Sequence, residues 1–373
     1  MAKTIALALA AVGLMTYFTP WGRTLNLMAV GAVVSGLVWK KLGEKLAIFV
    51  LCLLALQVLI AGFLEGGQIV HQLSTPLGAS YTTDMRAFLK TYQLMKQGEN
   101  FYPAFATGMA GLSNGVFHPD INGWRQPLIF YLWKILPGNG TSIYFLWEGM
   151  IILSLTAAFL VAKKFLPTRL AILSPLILWP YFHFSLVDLT LLQPEWWATS
   201  FFLFGLTAYL YQKFILAGIL FATTLATREL FIFPIILLLI INRKPLVKLA
   251  LPLTFFAIYY SLYHLPKIFT FGTELVRSSR HGGPYVLHYL LAYSSWSYWL
   301  GIFRPFLVVL GLVAVSLMRK RPLVLLISFL PLLLVAFSLA ALGVIDETRD
   351  YWGIYFMPLL LVSTPALILP PEE

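Results

Sequence analysis

Long apolar segments alternate with short polar connectors along most of this chain. A membrane-spanning helix needs about 17 to 25 predominantly apolar residues. Segments that meet this requirement lie near 3–19, 24–39, 46–63, 141–162, 170–187, 195–211, 247–263, 299–318, 322–343 and 353–370. Alternation of this kind predicts an all-α protein that crosses a membrane many times.

The stretch from 214 to 241 breaks this pattern. It contains two shorter apolar pieces, 214–226 and 230–241, on either side of Thr227-Arg228-Glu229. A single helix would carry an ion pair at mid-membrane and would place the next basic connector on the outer side, against the positive-inside rule. Two short helices forming a broken hairpin avoid both problems. The prediction becomes about 12 membrane helices with both termini cytoplasmic, and Arg228 lies at the floor of an outward-facing cavity.

Charge is distributed unequally between the two sides of the membrane. More than half of the 26 lysines and arginines lie in connectors that the positive-inside rule assigns to the cytoplasm. Of the 15 acidic residues, Glu44, Glu372 and Glu373 share that side, and the others lie on or near the outer face. Two long loops, about 64–140 and 264–298, also lie outside, and long structured loops are usually functional. The chain is therefore predicted to be a single membrane domain, residues 1–373, with its chemistry on the extracytoplasmic face.

Composition excludes several classes of protein. With 60% apolar residues, 11% charged residues and a mean hydropathy of +0.83, the chain does not resemble a soluble globule. The net charge of +11 comes largely from basic residues in the connectors that set the membrane topology, so we do not predict a nucleic-acid partner. Cys52 is the single cysteine, which excludes an internal disulfide and a cysteine-based zinc site. The six histidines lack metal-ligand spacing; we predict no cofactor, although a divalent metal is left open.

The first long loop and the broken hairpin carry the motifs that point to a family. The relevant residues are Asp84, Tyr92, Gly98 and Tyr102 at their mutual spacing, then Arg125-Gln126-Pro127, and then Ala226-Thr227-Arg228-Glu229. Together with the topology, they resemble the C-type superfamily of membrane glycosyltransferases, which use polyprenyl-phosphate-linked sugars. The chain departs from some relatives in having Arg-Gln-Pro where they have Tyr-Pro-Pro, and in two extra spans before the Asp84 loop. The sugar is therefore not predicted.

The reaction expected from this resemblance needs a base and a phosphate site. A carboxylate deprotonates the acceptor hydroxyl, and positive charge holds the departing polyprenyl phosphate. Asp84 is predicted as the base, with inversion at the anomeric carbon. The alternative is that Asp84 caps the helix that follows it. Arginine suits phosphate because its planar fork binds two oxygens, and the predicted phosphate-binding residues are Arg228, Arg277, Arg280 and Arg349.

Two of these assignments have structural alternatives. Arg228 could pair with Glu229 or with another acid, and Arg277 and Arg280 could contact lipid headgroups. The predicted supporting or substrate-binding residues are Glu229, Glu195, Tyr92, Tyr102, Arg125 and His281. Glu195 could instead cap a helix at the outer end of a span.

The predicted partners are a polyprenyl-phosphate sugar donor, a glycan, lipid or protein acceptor, and membrane lipids. One rival function is an O-antigen ligase or polymerase that uses Arg277, Arg280 and His281. A multi-span transporter is the other rival. It is disfavoured because the chain shows no internal repeat and its spans are nearly free of charge away from their outer ends.

Overall fold

All regular structure in the described part of the chain is helical, which confirms the predicted all-α class there. The computed structural model describes residues 43–273 except 79, 113–120, 187 and 242–245, together with Val362. The helices are α1 Gly43–Ser74, α2 Asp84–Lys96, α3 Phe101–Ala110, α4 Leu128–Ile135, α5 Thr141–Lys163, α6 Thr168–Ala171, α7 Leu173–Phe184, α8 Pro194–Leu210, α9 Phe214–Thr227, α10 Ile232–Ile241, α11 Leu246–Tyr259 and α12 Leu265–Phe269. Short 3₁₀ segments cover Ile121–Gly123, Thr190–Leu192 and Glu229–Phe231, and a π-helical turn covers Tyr260–His264.

Among the described helices, α5 alone is long and apolar enough to cross a membrane by itself. Helix α1 meets the same test only if its parts Ile48–Leu64 and Gly66–Ser74, bent by 54°, count as one span. The predicted span 170–187 corresponds to a shorter helix, α7 with 12 residues, whereas the predicted span 195–211 corresponds to α8, which has 17 residues. The predicted spans 3–19, 24–39, 299–318, 322–343 and 353–370 lie outside the described residues, apart from Val362. A count of about 12 spans therefore stays a prediction.

The predicted first long loop, about 64–140, begins within a helix. Helix α1 continues to Ser74 and is bent by 54° after Leu64, so the start of the loop relative to the membrane stays a prediction. The predicted boundary followed the drop in hydropathy at Glu65-Gly66-Gly67, but there the helix bends and does not end. The rest of the loop contains α2, α3 and α4, and its buried face packs on protein: α2 contacts α3 and α4.

The interruption predicted at Thr227-Arg228-Glu229 is confirmed. Helix α9 ends at Thr227, Arg228 adopts an extended backbone with φ −154° and ψ 113°, and α10 begins at Ile232 after one 3₁₀ turn. Helix α9 packs against α8 on one side and α11 on another. The break therefore places Arg228 among several helices.

Helix α5 occupies the centre of the packing and contacts α1, α7 and α8. Its Trp147 ring packs on Trp197 of α8 at 4.8 Å between ring centroids, and Trp197 in turn meets Trp133 of α4 at 6.0 Å. All three indoles are fully buried. This aromatic core joins the first-loop helices to the α5–α8 layer and fixes the start of α8, where the polar site begins.

A carboxyl group lies inside the interface between α1 and α5. Glu148 of α5 is buried, and a Cβ atom built on Gly62 of α1 would lie 1.2 Å from its Oε1 atom. One turn away, the Tyr144 hydroxyl donates a hydrogen bond of 2.9 Å to the Gly62 carbonyl. A larger residue at position 62 would therefore require the Glu148 carboxyl group to move.

Large apolar side chains cover much of the outer surface of these helices. Among the most exposed are Phe63 at 87% and Leu64 at 75% in α1, and Val247 at 82% in α11. Soluble monomers rarely expose contiguous apolar patches of large size. Helices α1 and α11, which carry these residues, present a surface suited to lipid or to further apolar protein.

Candidate functional site

Four charged side chains form a buried network where α8, α9 and α4 meet. One Glu195 oxygen, Oε1, lies 3.2 Å from Nε of Arg125 and 3.2 Å from Nε of Arg228. Nη1 of Arg228 lies 2.5 Å from Oε1 of Glu229. The order Arg125–Glu195–Arg228–Glu229 alternates positive and negative charges, so the network is neutral as a whole.

Each member is positioned by the end of a helical element. Gln193 is the residue before α8, Pro194 fills its first position, and Glu195 follows in the first turn, where a helix dipole favours a carboxylate. Arg228 directly follows the end of α9, and its extended backbone turns the side chain away from the helix axis. Arg125 lies between the 3₁₀ turn Ile121–Gly123 and α4. The charge network therefore joins three chain segments at the ends of their helical elements.

The burial of these charges is costly and must be offset by their pairing. Arg228 is 0% exposed and Glu195 is 1% exposed. Removing a charged group from water costs several kcal/mol, and the mutual attraction of the partners offsets this only when the geometry is good. Arg228 pairs with two acids, Glu195 and Glu229. This is the structural alternative predicted from the sequence, in which Arg228 forms an ion pair with Glu229 or another acid. Its predicted phosphate role stays a prediction.

Asp84 begins α2 beside this network. The residue before the helix is Thr83, so the alternative in which Asp84 itself occupies the capping position is wrong by one residue. One turn later, the Phe88 ring lies 5.5 Å from the Arg125 guanidinium carbon. Side chains four residues apart share a helix face, which places Asp84 on the Arg125 side of α2. Gln193 Nε2 also donates to Met85 Sδ at 3.5 Å.

The Asp84 carboxylate has no hydrogen bond or ion pair with other residues in the described ranges. Its exposure is intermediate, whereas that of Glu195 is almost zero. Asp84 is thus the acid of this region that is open to an incoming group, and Glu195 is the acid committed to structure.

A second polar contact joins the first loop to the segment after α11. The Tyr102 hydroxyl and His264 Nδ1 lie 3.1 Å apart, and the Trp124 indole donates to the Thr273 hydroxyl at 2.8 Å. His264 ends the π-helical turn, a feature that occurs often at functional sites. The hydroxyl of Tyr260 in the same turn interacts electrostatically with Glu229 and Arg228. This turn therefore borders the charge network.

The protonation of His264 gives a pH-dependent prediction. Burial lowers the pKa of His264, the residue after the predicted 247–263 span, from 6.5 to about 4. The surrounding groups are the phenols of Tyr102, Tyr259 and Tyr260, which supply no negative charge. Because the unfolded chain takes up this proton first, stability present above pH 6.5 is lost as the pH falls toward 4.

The measurement is the melting temperature of the purified protein between pH 7 and pH 4.5, beside that of His264→Gln. Other groups titrate in this range, so the quantity to compare is the slope of melting temperature against pH in the parent and in the variant. We expect a shallower decrease in the variant. Parallel slopes would show that His264 does not contribute.

The remaining first-loop residues are structural in their contacts. Tyr92 is buried, and its hydroxyl lies 3.5 Å from the Gly138 carbonyl, at the end of α2 away from Asp84. Gly98 has φ +107° and follows the last turn of α2, where glycine commonly ends a helix. Tyr102 is buried in α3. The spacing from Gly98 to Tyr102 therefore marks a helix end followed by a packed tyrosine.

The structure joins four of the predicted site residues, Arg125, Glu195, Arg228 and Glu229, in one network, and Asp84 begins the helix whose Phe88 packs on Arg125. The others that were predicted, Arg277, Arg280, His281 and Arg349, lie outside the described residues.

Sequence analysis did not select Gln126, Gln193, Tyr260 or His264 as site residues. Gln126 and Gln193 each lie within two residues of a predicted charged residue, Arg125 or Glu195, and this proximity is the signal that the sequence offers for them. Within the described residues, no group of three or more histidine, cysteine or acidic side chains could hold a metal ion. Comparison with protein-family models, with curated proteins and with solved structures found no match for this chain.

Proposed function

We propose that this protein is a membrane glycosyltransferase of the C-type kind, which transfers a sugar from a polyprenyl-phosphate donor to an acceptor hydroxyl. One observation carries the proposal. Asp84, a carboxylate without a described partner, lies one helical turn from Phe88, the residue that packs on Arg125 of a largely buried charge network. Ionisable residues inside an apolar helical protein are costly and usually functional.

In the proposed reaction, Asp84 removes the proton from the acceptor hydroxyl as its oxygen attacks the anomeric carbon. The bond between that carbon and the phosphate oxygen breaks, and the phosphate leaves with the electron pair. A single displacement of this kind inverts the anomeric centre. Asp84 then carries the proton, which it returns to water.

The charge network supports this chemistry in two ways. The pair of Arg125 and Glu195 joins the start of α4 to the start of α8, and Phe88 of α2 packs on Arg125, which supports a role of the network in positioning the helix that carries the base. Arg228 is proposed to bind the donor phosphate. Further candidates for this contact are Arg277, Arg280 and Arg349. Because Glu195 and Glu229 already neutralise the charges of Arg125 and Arg228, net positive charge for a phosphate has to come from such further cations or from a change in this pairing.

We also propose that the chain is a multi-pass membrane protein of about 12 spans whose active site is extracytoplasmic or lumenal. The exposed apolar side chains of α1 and α11 support membrane contact. Shorter helices such as α9 and α10 are compatible with a membrane only where neighbouring protein satisfies their ends.

Topology can be tested by cysteine labelling after Cys52→Ser. We expect Glu99→Cys, an exposed position in the first loop, to react with a membrane-impermeant maleimide from outside. Lys213→Cys, exposed in the connector between α8 and α9, should react only after the membrane is permeabilised. Outside labelling at Lys213 would contradict the proposed orientation.

The proposed activity is tested by incubating purified protein with polyprenyl-phosphate sugars and a panel of glycan, lipid and peptide acceptors. We expect sugar transfer with one donor and release of polyprenyl phosphate in equal amount. Nucleotide sugars in the same assay are the control and should give no product. Transfer from a nucleotide sugar without any lipid-linked donor would contradict the proposed donor class.

A further inference from the structure

Arg228 is held by two carboxylates that differ in their access to solvent. The Glu195 side chain is 1% exposed, whereas the Glu229 side chain is 17% exposed. Glu195 also pairs with Arg125, so its removal would leave two buried cations without their shared partner. Glu229 is therefore the carboxylate of this pair that can leave Arg228 at lower cost.

The described contacts of the Glu229 side chain are few. Its Oε1 atom meets Arg228, and its Oε2 atom accepts a hydrogen bond of 3.5 Å from Gln126 Nε2, at the long limit for such a bond. Gln126 is 1% exposed, and its amide oxygen has no hydrogen-bond partner among the described residues. The Gln126 Nε2 group is thus held only weakly by Glu229, and an anion placed closer to it would accept a stronger hydrogen bond.

We propose that Glu229 is a displaceable counter-ion that occupies Arg228 until a phosphate monoester or diester replaces it. This inference rests on the proposed function and names how its donor phosphate enters the site. The phosphate takes the place of the Glu229 carboxylate on Arg228 Nη1, and the Gln126 amide becomes a second donor to the same anion. Glu195 stays in place behind Arg228.

Charge balance explains why this exchange is feasible in a buried site. One anion replaces another, so Arg228 never lacks a partner during the exchange, and no desolvated cation is left unpaired. Glu229 is the first residue of a single 3₁₀ turn directly after the extended Arg228. A rotation of its side chain therefore moves the carboxylate without moving α9 or α10.

The test is the affinity of the purified protein for farnesyl phosphate, measured for the parent, Glu229→Gln and Glu229→Asp. Glutamine keeps the shape and loses the competing charge, so Glu229→Gln should bind about tenfold more tightly. Glu229→Asp keeps the charge but withdraws it by one methylene, and we expect an intermediate gain. The matched control is Glu99→Gln, at an exposed acid of the first loop, which should bind like the parent.

Inorganic phosphate and farnesol are the two further probes. A gain in Glu229→Gln for farnesyl phosphate alone indicates a lipid-linked phosphate, and an equal gain for inorganic phosphate indicates that the site accepts free phosphate. No gain should occur with farnesol. Unchanged or weaker farnesyl phosphate binding in both Glu229 variants, with melting temperatures like the parent, would overturn the inference. The proposed function would then still be judged separately by the transfer assay.

Discussion

Asp84→Asn is expected to lower the rate of sugar transfer by about 10²- to 10⁴-fold, the usual effect of losing a general base. Asparagine has nearly the same shape as aspartate but cannot accept the proton of the acceptor hydroxyl. Asp84 has no described hydrogen bond or ion pair, so the substitution removes no contact that stabilises the fold. The melting temperature should therefore stay close to that of the parent.

The same variant should bind farnesyl phosphate with nearly unchanged affinity, because a base acts mainly in the transition state. The measurements are the turnover number with a saturating lipid-linked donor and the dissociation constant of farnesyl phosphate. Glu99→Gln, which removes an exposed acid 15 residues further along the first loop, is the matched control and should turn over normally. Near-normal turnover in Asp84→Asn would remove Asp84 from the mechanism.

Glu195→Ala is expected to reduce the free energy of unfolding by about 3–5 kcal/mol, the usual cost of breaking a buried ion pair from one side. Its Oε1 atom lies 3.2 Å from both Arg125 and Arg228, so two buried guanidinium groups lose their shared carboxylate at once. The measurement is denaturant or thermal unfolding of the purified protein in detergent, followed by tryptophan fluorescence. Glu99→Ala should change the stability by no more than about 0.5 kcal/mol.

A double-mutant cycle measures the interaction energy between Glu195 and Arg228 separately from the other contacts of each residue. Glu195→Ala and Arg228→Met are each expected to be destabilising, and the double variant should be less destabilised than the sum of the two. Additive effects would show that Glu195 and Arg228 do not interact energetically. The cycle also bears on the role of Arg228, since a residue that only positions Glu195 would show full coupling and no effect on farnesyl phosphate affinity.

Long apolar segments of the sequence predicted helices well where their composition was uniformly apolar. The predicted span 141–162 matches α5, Thr141–Lys163, and the predicted span 195–211 matches α8, Pro194–Leu210. Hydropathy does not reveal where a helix ends in α1. There, Glu65-Gly66-Gly67 lowers the hydropathy, but the helix bends and continues to Ser74.

The members of the site were predictable and their pairing was not. Glu195 and Arg228 were selected because charges in apolar segments are rare, a property that each residue shows alone. Their contact depends on how α8 packs against α9, and the contact of Arg125 with Glu195 depends on α4, 70 residues earlier. No local pattern encodes these distances. Gln126 was missed for a related reason, since an uncharged amide becomes informative only when its burial is known.

The polar contacts of Tyr102 with His264 and of Trp124 with Thr273 have a consequence for biosynthesis. The paired residues are 162 and 149 positions apart in the chain. At a synthesis rate of roughly 5–20 residues per second, the first loop waits on the order of ten seconds or more before its partners leave the ribosome. During that interval the Tyr102 and Trp124 polar groups lack these partners, so the packing of the first-loop helices is completed only after α11 and the segment that follows it have been made.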